Sequence, residues 1–376
     1  MRRLLGVLLA LGLVIGVVLV AQQRHNPRPG PRPSPTAHGS PTALTALSGL
    51  IGSEKQHFFA DGAVQQALRA QGYAVTVGSS GSFSMAGDVQ KGHYDFAIPA
   101  SSIAASTIPS PFNTNPVRPF YSPMVVVAHT DTADFLAQNG LATQLSGGVW
   151  SFDMNQYLAD VEAQRKWSDL TGGTRPGDLA GLLYIETTDP ASSSSGALYL
   201  AIMSYLANNE QLVKSQADIA HVQPLMQYLI SNQGALLASS DQLFSDFRAG
   251  TGNPLIWTYE SEAAEQAMDG TLPADTVVLY PNVDLQSDHT VVELTPQAHG
   301  FAEALANNPT LIKLEARFGF RPTADPGAMI AALKAAGHAQ GFAPDLTALP
   351  STSQPPFPHT DILQKLVAAA SSSGSS

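Results

Sequence analysis

The sequence predicts an α/β protein of two lobes, each a mostly parallel sheet flanked by helices. Three observations carry this. Short apolar runs of strand length alternate with stretches of helical apolar spacing through most of the chain, and such alternation builds parallel sheets with helices on both faces. The body, residues 44–349, is long enough for one large or two medium lobes. The 376 residues include no cysteine, so the fold of an exported chain must rest on its core rather than on disulfides.

The elements follow in order. Residues 47–52 form an apolar run suited to a buried strand, and 58–71 carry Phe58, Phe59, Val64, Ala67 and Leu68 at helical spacing until Gly72 stops them. Residues 73–77 alternate as a strand, 85–91 read as a short helix and 94–99 as a buried strand. A strand with two apolar faces is predicted within 120–129, around Met124 to Ala128, then helices over 131–140 and 155–170. Further strands are predicted at 182–186, 255–259, 276–280 and 289–294. Further helices are predicted at 195–208, 222–238, 240–249, 261–268, 296–307, 328–336 and 359–370. Tyr199, Met203 and Leu206 recur at helical spacing and read as core, as does Trp257, whereas Trp150 and Trp167 are expected between lobes or at the surface.

The ends have a different character. Met1-Arg2-Arg3 precedes an uncharged apolar run from Leu4 to Ala21, the pattern of an export signal close to the length of a bilayer span. Residues 1–23 therefore read either as a signal peptide cut near Ala21 or as a retained membrane anchor. With no cysteine, a lipid-modified cysteine anchor is excluded. Residues 24–43 hold Pro27, Pro29, Pro31, Pro33, Pro35 and Pro41, which favour an extended linker that cannot bury a core. Residues 350–376 form an extension in which prolines precede a short helix and a disordered Ser/Gly tail. The formal net charge of −11, without a basic stripe, sets nucleic acid aside as a partner.

Ligands bind such sheets where strands lead into loops and helix N-termini, so the loops after the strands matter most. They share small hydroxyl residues and glycine: Gly52-Ser53-Glu54-Lys55, Gly78-Ser79-Ser80-Gly81-Ser82, Ala100-Ser101-Ser102, the run from Thr187 through Asp189 to Ser194-Ser195-Gly196, and Tyr259-Glu260-Ser261-Glu262. Any one serine reads equally as a helix cap; five such loops at equivalent places point to a site for an oxyanion or a carboxylate-bearing ligand.

Several segments carry a resemblance: GSEKQHFF at 52–59, VTVGSSGSFSMAGDV at 75–89, YDFAIPASS at 94–102, FYSPMVVVAH at 120–129, TTDPASSSSGALYLAIMSYL at 187–206, PLIWTYESEA at 254–263 and VVLYPNVDLQSDHTVVEL at 277–294. In element order and loop pattern the chain resembles the extracellular solute-binding proteins of the type 2 periplasmic-binding-protein fold, in particular the molybdate/sulfate/phosphate-type proteins of ABC importers and their actinobacterial relatives. The resemblance implies a chain that crosses between lobes near 120–129 and returns near 277–294. It implies one lobe from 44–125 plus 285–349 and a second from 126–284. It also implies a monomer that closes about a hinge on a small molecule or anion, with a membrane permease as partner. By position, Ser53, Ser80, Ser82, Ser101, Ser102, Ser194, Ser195 and Tyr259 would contact the ligand.

Two departures bear on the ligand. Phe83 stands where a polar or basic residue would help an anion, and Lys55 is the one cation in these loops, while Glu54, Asp189 and Glu260 share the region. A buried carboxylate repels an anion unless protonated or paired, so a neutral or cationic ligand is equally compatible. Arg118 brings a charge either to the hinge or to the surface.

Enzyme signatures are missing. Residues 78–82 do not form a G-x-S-x-G elbow, neither H-E-x-x-H nor a Walker loop occurs, and Glu260 with Glu262 reads as a helix N-terminal charge pair. The expectation is a binding protein with no catalytic residue, metal or cofactor. The alternative is a membrane-anchored surface scaffold or sensor ectodomain that keeps a degenerate form of the fold.

Overall fold

The computed structural model describes residues 43–112, 116–349 and 353–372. The predicted signal or anchor, most of the proline-rich linker and the tail at 373–376 lie outside the described residues. Among the described residues no helix is long and apolar enough to cross a membrane.

Two sheets organise the chain. The first contains β1 (Thr45–Ile51), β2 (Tyr73–Ser79), β3 (Phe96–Ile98), β4 (Val117–Ser122), β10 (Ser287–Glu293) and β11 (Arg321–Pro322), in the order β11-β4-β10-β3-β1-β2. The second contains β5 (Met124–His129), β6 (Ala142–Gln144), β7 (Trp150–Phe152), β8 (Ile256–Tyr259) and β9 (Thr276–Pro281), in the order β6-β7-β9-β5-β8. Most strands of each sheet run one way. In the first, β1, β2, β3 and β4 share a direction, with β10 and β11 antiparallel to them. In the second, β7, β8 and β9 share one, with β5 and β6 opposed.

Fourteen α-helices surround the sheets among the described residues: α1 (Gln56–Ala60), α2 (Gly62–Ala70), α3 (Met85–Asp88), α4 (Ser102–Ala105), α5 (Thr130–Gln138), α6 (Met154–Glu162), α7 (Ser194–Ala207), α8 (Gln216–Ser231), α9 (Ser240–Arg248), α10 (Glu260–Met268), α11 (Ala298–Asn307), α12 (Pro309–Arg317), α13 (Ala328–Ala336) and α14 (Thr360–Ser371).

The strand predicted within 120–129 is two strands in two sheets. Pro123 separates them because it has no N–H for either ladder, and its carbonyl accepts from Glu260 N at 3.0 Å. The return crossing is residues 282–286, between β9 and β10. Two crossover segments thus link the sheets, as the fold requires.

Other differences have local causes. The helix predicted over 58–71 breaks at Asp61, whose carboxylate caps α2 by accepting from Ala63 N at 2.8 Å and Val64 N at 3.1 Å. The strand predicted at 182–186 makes only isolated bridges, Lys166 with Leu182 and Glu186 with Ile256. Helix α12 was not predicted; its signal is Asn308-Pro309, an Asn cap followed by proline in the first turn. Trp150 and Trp167 are not surface residues but lie in the core of the second sheet, as do Tyr199, Met203, Leu206 and Trp257.

The cores explain these placements. Aromatic rings fill the first: Phe58 meets Phe120, Phe318 and Phe320 edge-on, and Phe120 stacks on Phe320 at 4.3 Å. The second sheet is buried on both faces. Met124, Val126 and Ala128 face one side with α7, which is buried almost all round. Val125 and Val127 face the other, with Phe244, Phe247, Met329, Ile330 and Leu333. Helix α13 lies against α12 and β11 of the first lobe and against α10 of the second, and its Met329, Ile330 and Leu333 share the apolar cluster on this face of the second sheet.

Gly319, just past α12, has φ +80° beside α10, and a Cβ there would overlap the Ser261 carbonyl. Gly319→Ala is expected to destabilise by more than ~2 kcal/mol, since the left-handed conformation alone costs about 1–2 kcal/mol for a residue with a Cβ. A shift of the urea midpoint measures it; an unchanged midpoint refutes the close packing of α12 on α10.

Candidate ligand site between the sheets

Loops from both sheets meet. After β1 the chain turns through Ser53–Lys55, and after β3 Ser101 caps α4, its Oγ accepting from Ala104 N at 3.3 Å. From the second lobe comes the N-terminus of α7. Ser101 Oγ and Ser194 Oγ, both buried, are 2.9 Å apart. Beside them Phe83 N donates to Ser192 O at 3.0 Å, and Ser239 Oγ donates to Ser53 Oγ at 2.9 Å. Gly81 permits this approach, for a Cβ there would stand 2.6 Å from Ser192 O.

The charge centre is Lys55, fully buried although lysine rarely is. Its Nζ donates to Glu54 Oε1 and lies 3.0 Å from His289 Nδ1. Burial pulls the lysine below its ordinary pKa, and Glu54 opposes that pull. Burial and then the neighbouring Lys55 push His289 well below the usual histidine range. A neutral His289 accepts from the ammonium at Nδ1 and carries its proton on Nε2, which lies 3.4 Å from Ser287 Oγ. Ser287 donates to Ala100 O, and Ala100 N donates to Ser82 Oγ at 3.0 Å. One polar network thus runs from Glu54 to Ser82, and Ala100 in it is the chain neighbour of Ser101.

Across the cleft, Glu262 accepts from Ser240 Oγ at 2.8 Å and from Thr258 Oγ1. Burial pushes its carboxyl up to about 8, against those two hydrogen bonds. A cavity of about 200 Å³ opens at this rim, lined by Ser53, Glu54, His57, Asp241, Glu262 and Glu265 among others. His57 Nδ1 closes one side at 3.0 Å from Glu265 Oε1. A larger cavity of about 650 Å³, beside Trp150, His338 and Gln340, shares none of these residues.

The predicted residues divide. Ser53 meets Ser239 and Ser101 meets Ser194 across the two lobes, while Glu54 accepts from Lys55 and Ser82 lies in the network behind. Ser195 bonds Thr188 at 2.6 Å and Ser193 at 3.0 Å, and its carbonyl accepts from Trp257 Nε1. Tyr259 is buried with its ring 5.9 Å from His289. Ser80 Oγ is turned to Asp88 at 2.8 Å, and Ser102 N to Asp288 at 2.7 Å. Asp189 closes its own turn by accepting from Ala191 N at 2.9 Å. Glu260 and Glu262 both stand in the first turn of α10, as expected, but both are buried: both oxygens of Glu260 bind Arg321, at 2.6 and 2.7 Å, and Tyr280 donates to one of them. Arg118 lies half-exposed against Asp288 at 3.0 Å. Lys55, His289, Ser287, Ser240 and Glu262 were not among the predicted site residues. Lys55 was visible as the lone cation of the loops; a single histidine on a strand gives no such signal.

Comparison of the sequence with protein-family models gives no match, and comparison with curated proteins gives none. Solved structures do match in shape. A periplasmic thiamin binding protein aligns with TM-score 0.54 at 11% identity, over 87% of this chain and 96% of its own. AfuA, a periplasmic binding protein from Actinobacillus pleuropneumoniae with fructose-6-phosphate bound, aligns with TM-score 0.53 at 11% identity, over 86% and 96%. Iron-bound HitA from Pseudomonas aeruginosa aligns with TM-score 0.53 at 10% identity, over 87% and 99%. The chain has the type 2 periplasmic-binding-protein fold.

Proposed function

We propose that this chain is a solute-binding protein outside the cytoplasmic membrane, which takes a small polar solute between its two sheets and closes over it for delivery to a membrane importer. The observation that carries this reading is the meeting of hydroxyls from opposite lobes, Ser101 with Ser194 at 2.9 Å, beside a buried Lys55. Polar groups held at such a junction are the kind that orient a ligand. The similar folds include binders of thiamin, a sugar phosphate and iron by their descriptions. Basic Arg2 and Arg3 before an apolar run supply the export or anchoring signal.

In this reading the moving bodies turn about Pro123 and residues 282–286. One comprises 44–122 and 287–336, with α13 held against α12 and β11; the other comprises 124–281, whose apolar cluster Met329, Ile330 and Leu333 also reach. The protein acts as a monomer and performs no chemistry on its ligand.

The second reading, a scaffold or sensor ectodomain, is favoured by one observation: Lys55 is already satisfied by Glu54 and His289 of its own chain. A thermal-shift screen with oxyanions, amino acids, sugars, polyamines and short peptides separates the two. A ligand at 100 times its Kd adds about 2.7 kcal/mol to the folded state. A shift with one chemical class is expected; none with any class overturns solute binding in favour of the scaffold.

A further inference from the structure

Residues 353–372 touch the second lobe, the return crossover and the first lobe, so a hinge motion would pull the last away from the first two. The backbone of Ser353 pairs with the return crossover: its N–H donates to Asn282 O at 2.7 Å, and Asp284 N donates to its carbonyl at 3.0 Å. Asn282 is itself fixed to the second lobe, where its Oδ1 accepts from Met154 N at 2.8 Å. Pro355, Pro356 and Pro358 then stiffen the chain. At the start of α14, Thr360 Oγ1 reaches Ser106 Oγ of the first lobe at 2.7 Å. The helix continues onto the second lobe, burying Ile362, Leu363, Leu366, Val367 and Ala370 in its core. Gln227 of α8 donates to Ala369 O at 3.0 Å and Ser372 O at 2.9 Å.

We propose that residues 353–372 form a strap that holds the two lobes closed, so that docking of this segment controls access to the cleft. The apolar face of α14 fixes the strap to the second lobe. The two polar contacts, at the crossover and at Ser106, are where it resists opening. Near them the strap also meets Phe83 of the first lobe, across a gap of about 280 Å³ shared with Pro190 and Leu363. Opening would turn the crossover at 282–286 against Ser353 and draw Ser106 away from Thr360, so each contact is lost unless the strap moves too. The proposal rests on the hinge motion of the solute-binding reading.

The absence of cysteine makes the test direct. Thr76→Cys on β2 and Thr143→Cys on β6, both exposed, place one spin label on each lobe of the full chain for pulsed distance measurement. Ser353→Pro with Thr360→Val removes the crossover donor and the contact to Ser106. The open-to-closed ratio is expected to rise about five- to thirtyfold. Thr360→Val alone, which leaves the crossover untouched, is expected to give a smaller rise and serves if the double variant does not fold. Gly81→Val wedges the cleft against Ser192 without touching the strap. If it lengthens the distance while the strap variants do not, the strap proposal is overturned and the hinge stands. If no variant changes the distance, the lobes form one rigid body and both fall.

Discussion

Replacing Arg321 by alanine is expected to cost roughly 3–5 kcal/mol of stability, as breaking a buried ion pair does by stranding the other charge. Arg321 belongs to the first sheet and Glu260 to the N-terminus of α10, behind the cleft. Their two hydrogen bonds, 2.6 and 2.7 Å, match the fork of the guanidinium to the carboxylate. Both side chains are almost wholly buried, 2% and 0% exposed. Arg321 also donates to Ala343 O at 2.7 Å, and Ala343 N donates to Tyr280 Oη at 2.9 Å. Burial disfavours the charge of Arg321, and Glu260 outweighs it, so its pKa is raised. Removal of the arginine leaves the buried Glu260 side chain with the Tyr280 phenol as its side-chain partner. Urea unfolding of Arg321→Ala measures the loss, and a value under ~1 kcal/mol would mean that water reaches the pair. Arg321→Met with Glu260→Met is expected to regain most of the stability, because both desolvation costs go together.

This pair also shows where sequence reading stops. Glu260 was legible as an acidic residue after a strand, which is correct as to place. Its partner lies 61 positions away, and sequence spacing gives no sign of it. The alternation of strands and helices was legible because each burial face repeats within a few residues. The crossing near 120–129 followed only from the resemblance; the residues alone read as a single strand, and Pro123, which divides it, played no part in that reading. The serine loops were legible as loops, but not which of them meet. Ser101 and Ser194 face each other across the cleft while Ser80 turns to Asp88, and only the packing of one lobe on the other decides this. The burial of Lys55 and the role of His289 were hidden for the same reason: each becomes buried only when β1 and β10 are set in one sheet and the second lobe lies over them.

Raising the pH from 6.5 to 8 is expected to weaken the protein, with Glu262 as a principal source. Burial holds its carboxyl near 8 against an ordinary value of 4.5. A folded pKa above the unfolded one means that the folded state keeps a proton which the unfolded state has released. The contribution is full below 4.5 and is lost as pH rises through 8, at about 1.4 kcal/mol per pH unit in between. Asp284, also pushed up to about 8 by burial, adds a slope of the same sign. His289 and Lys55 act oppositely, because burial lowers both. The histidine's effect is complete above its ordinary 6.5; the lysine's opposing slope lies between its lowered pKa and 10.5. Glu262→Gln removes one proton from this linkage. Its stability relative to the unsubstituted protein is therefore expected to rise with pH across the window at about 1.4 kcal/mol per unit, and parallel pH curves would refute the buried protonated carboxyl. The same proton bears on the cleft. Opening brings water to Glu262, removes the desolvation that holds its proton and lowers its pKa, so alkaline pH favours the open form. An interlobe distance that lengthens with pH in the unsubstituted protein, but not in Glu262→Gln, is the expected result. A pH response that survives the substitution would assign the switch to another pair at the rim, with His57–Glu265 the first to test.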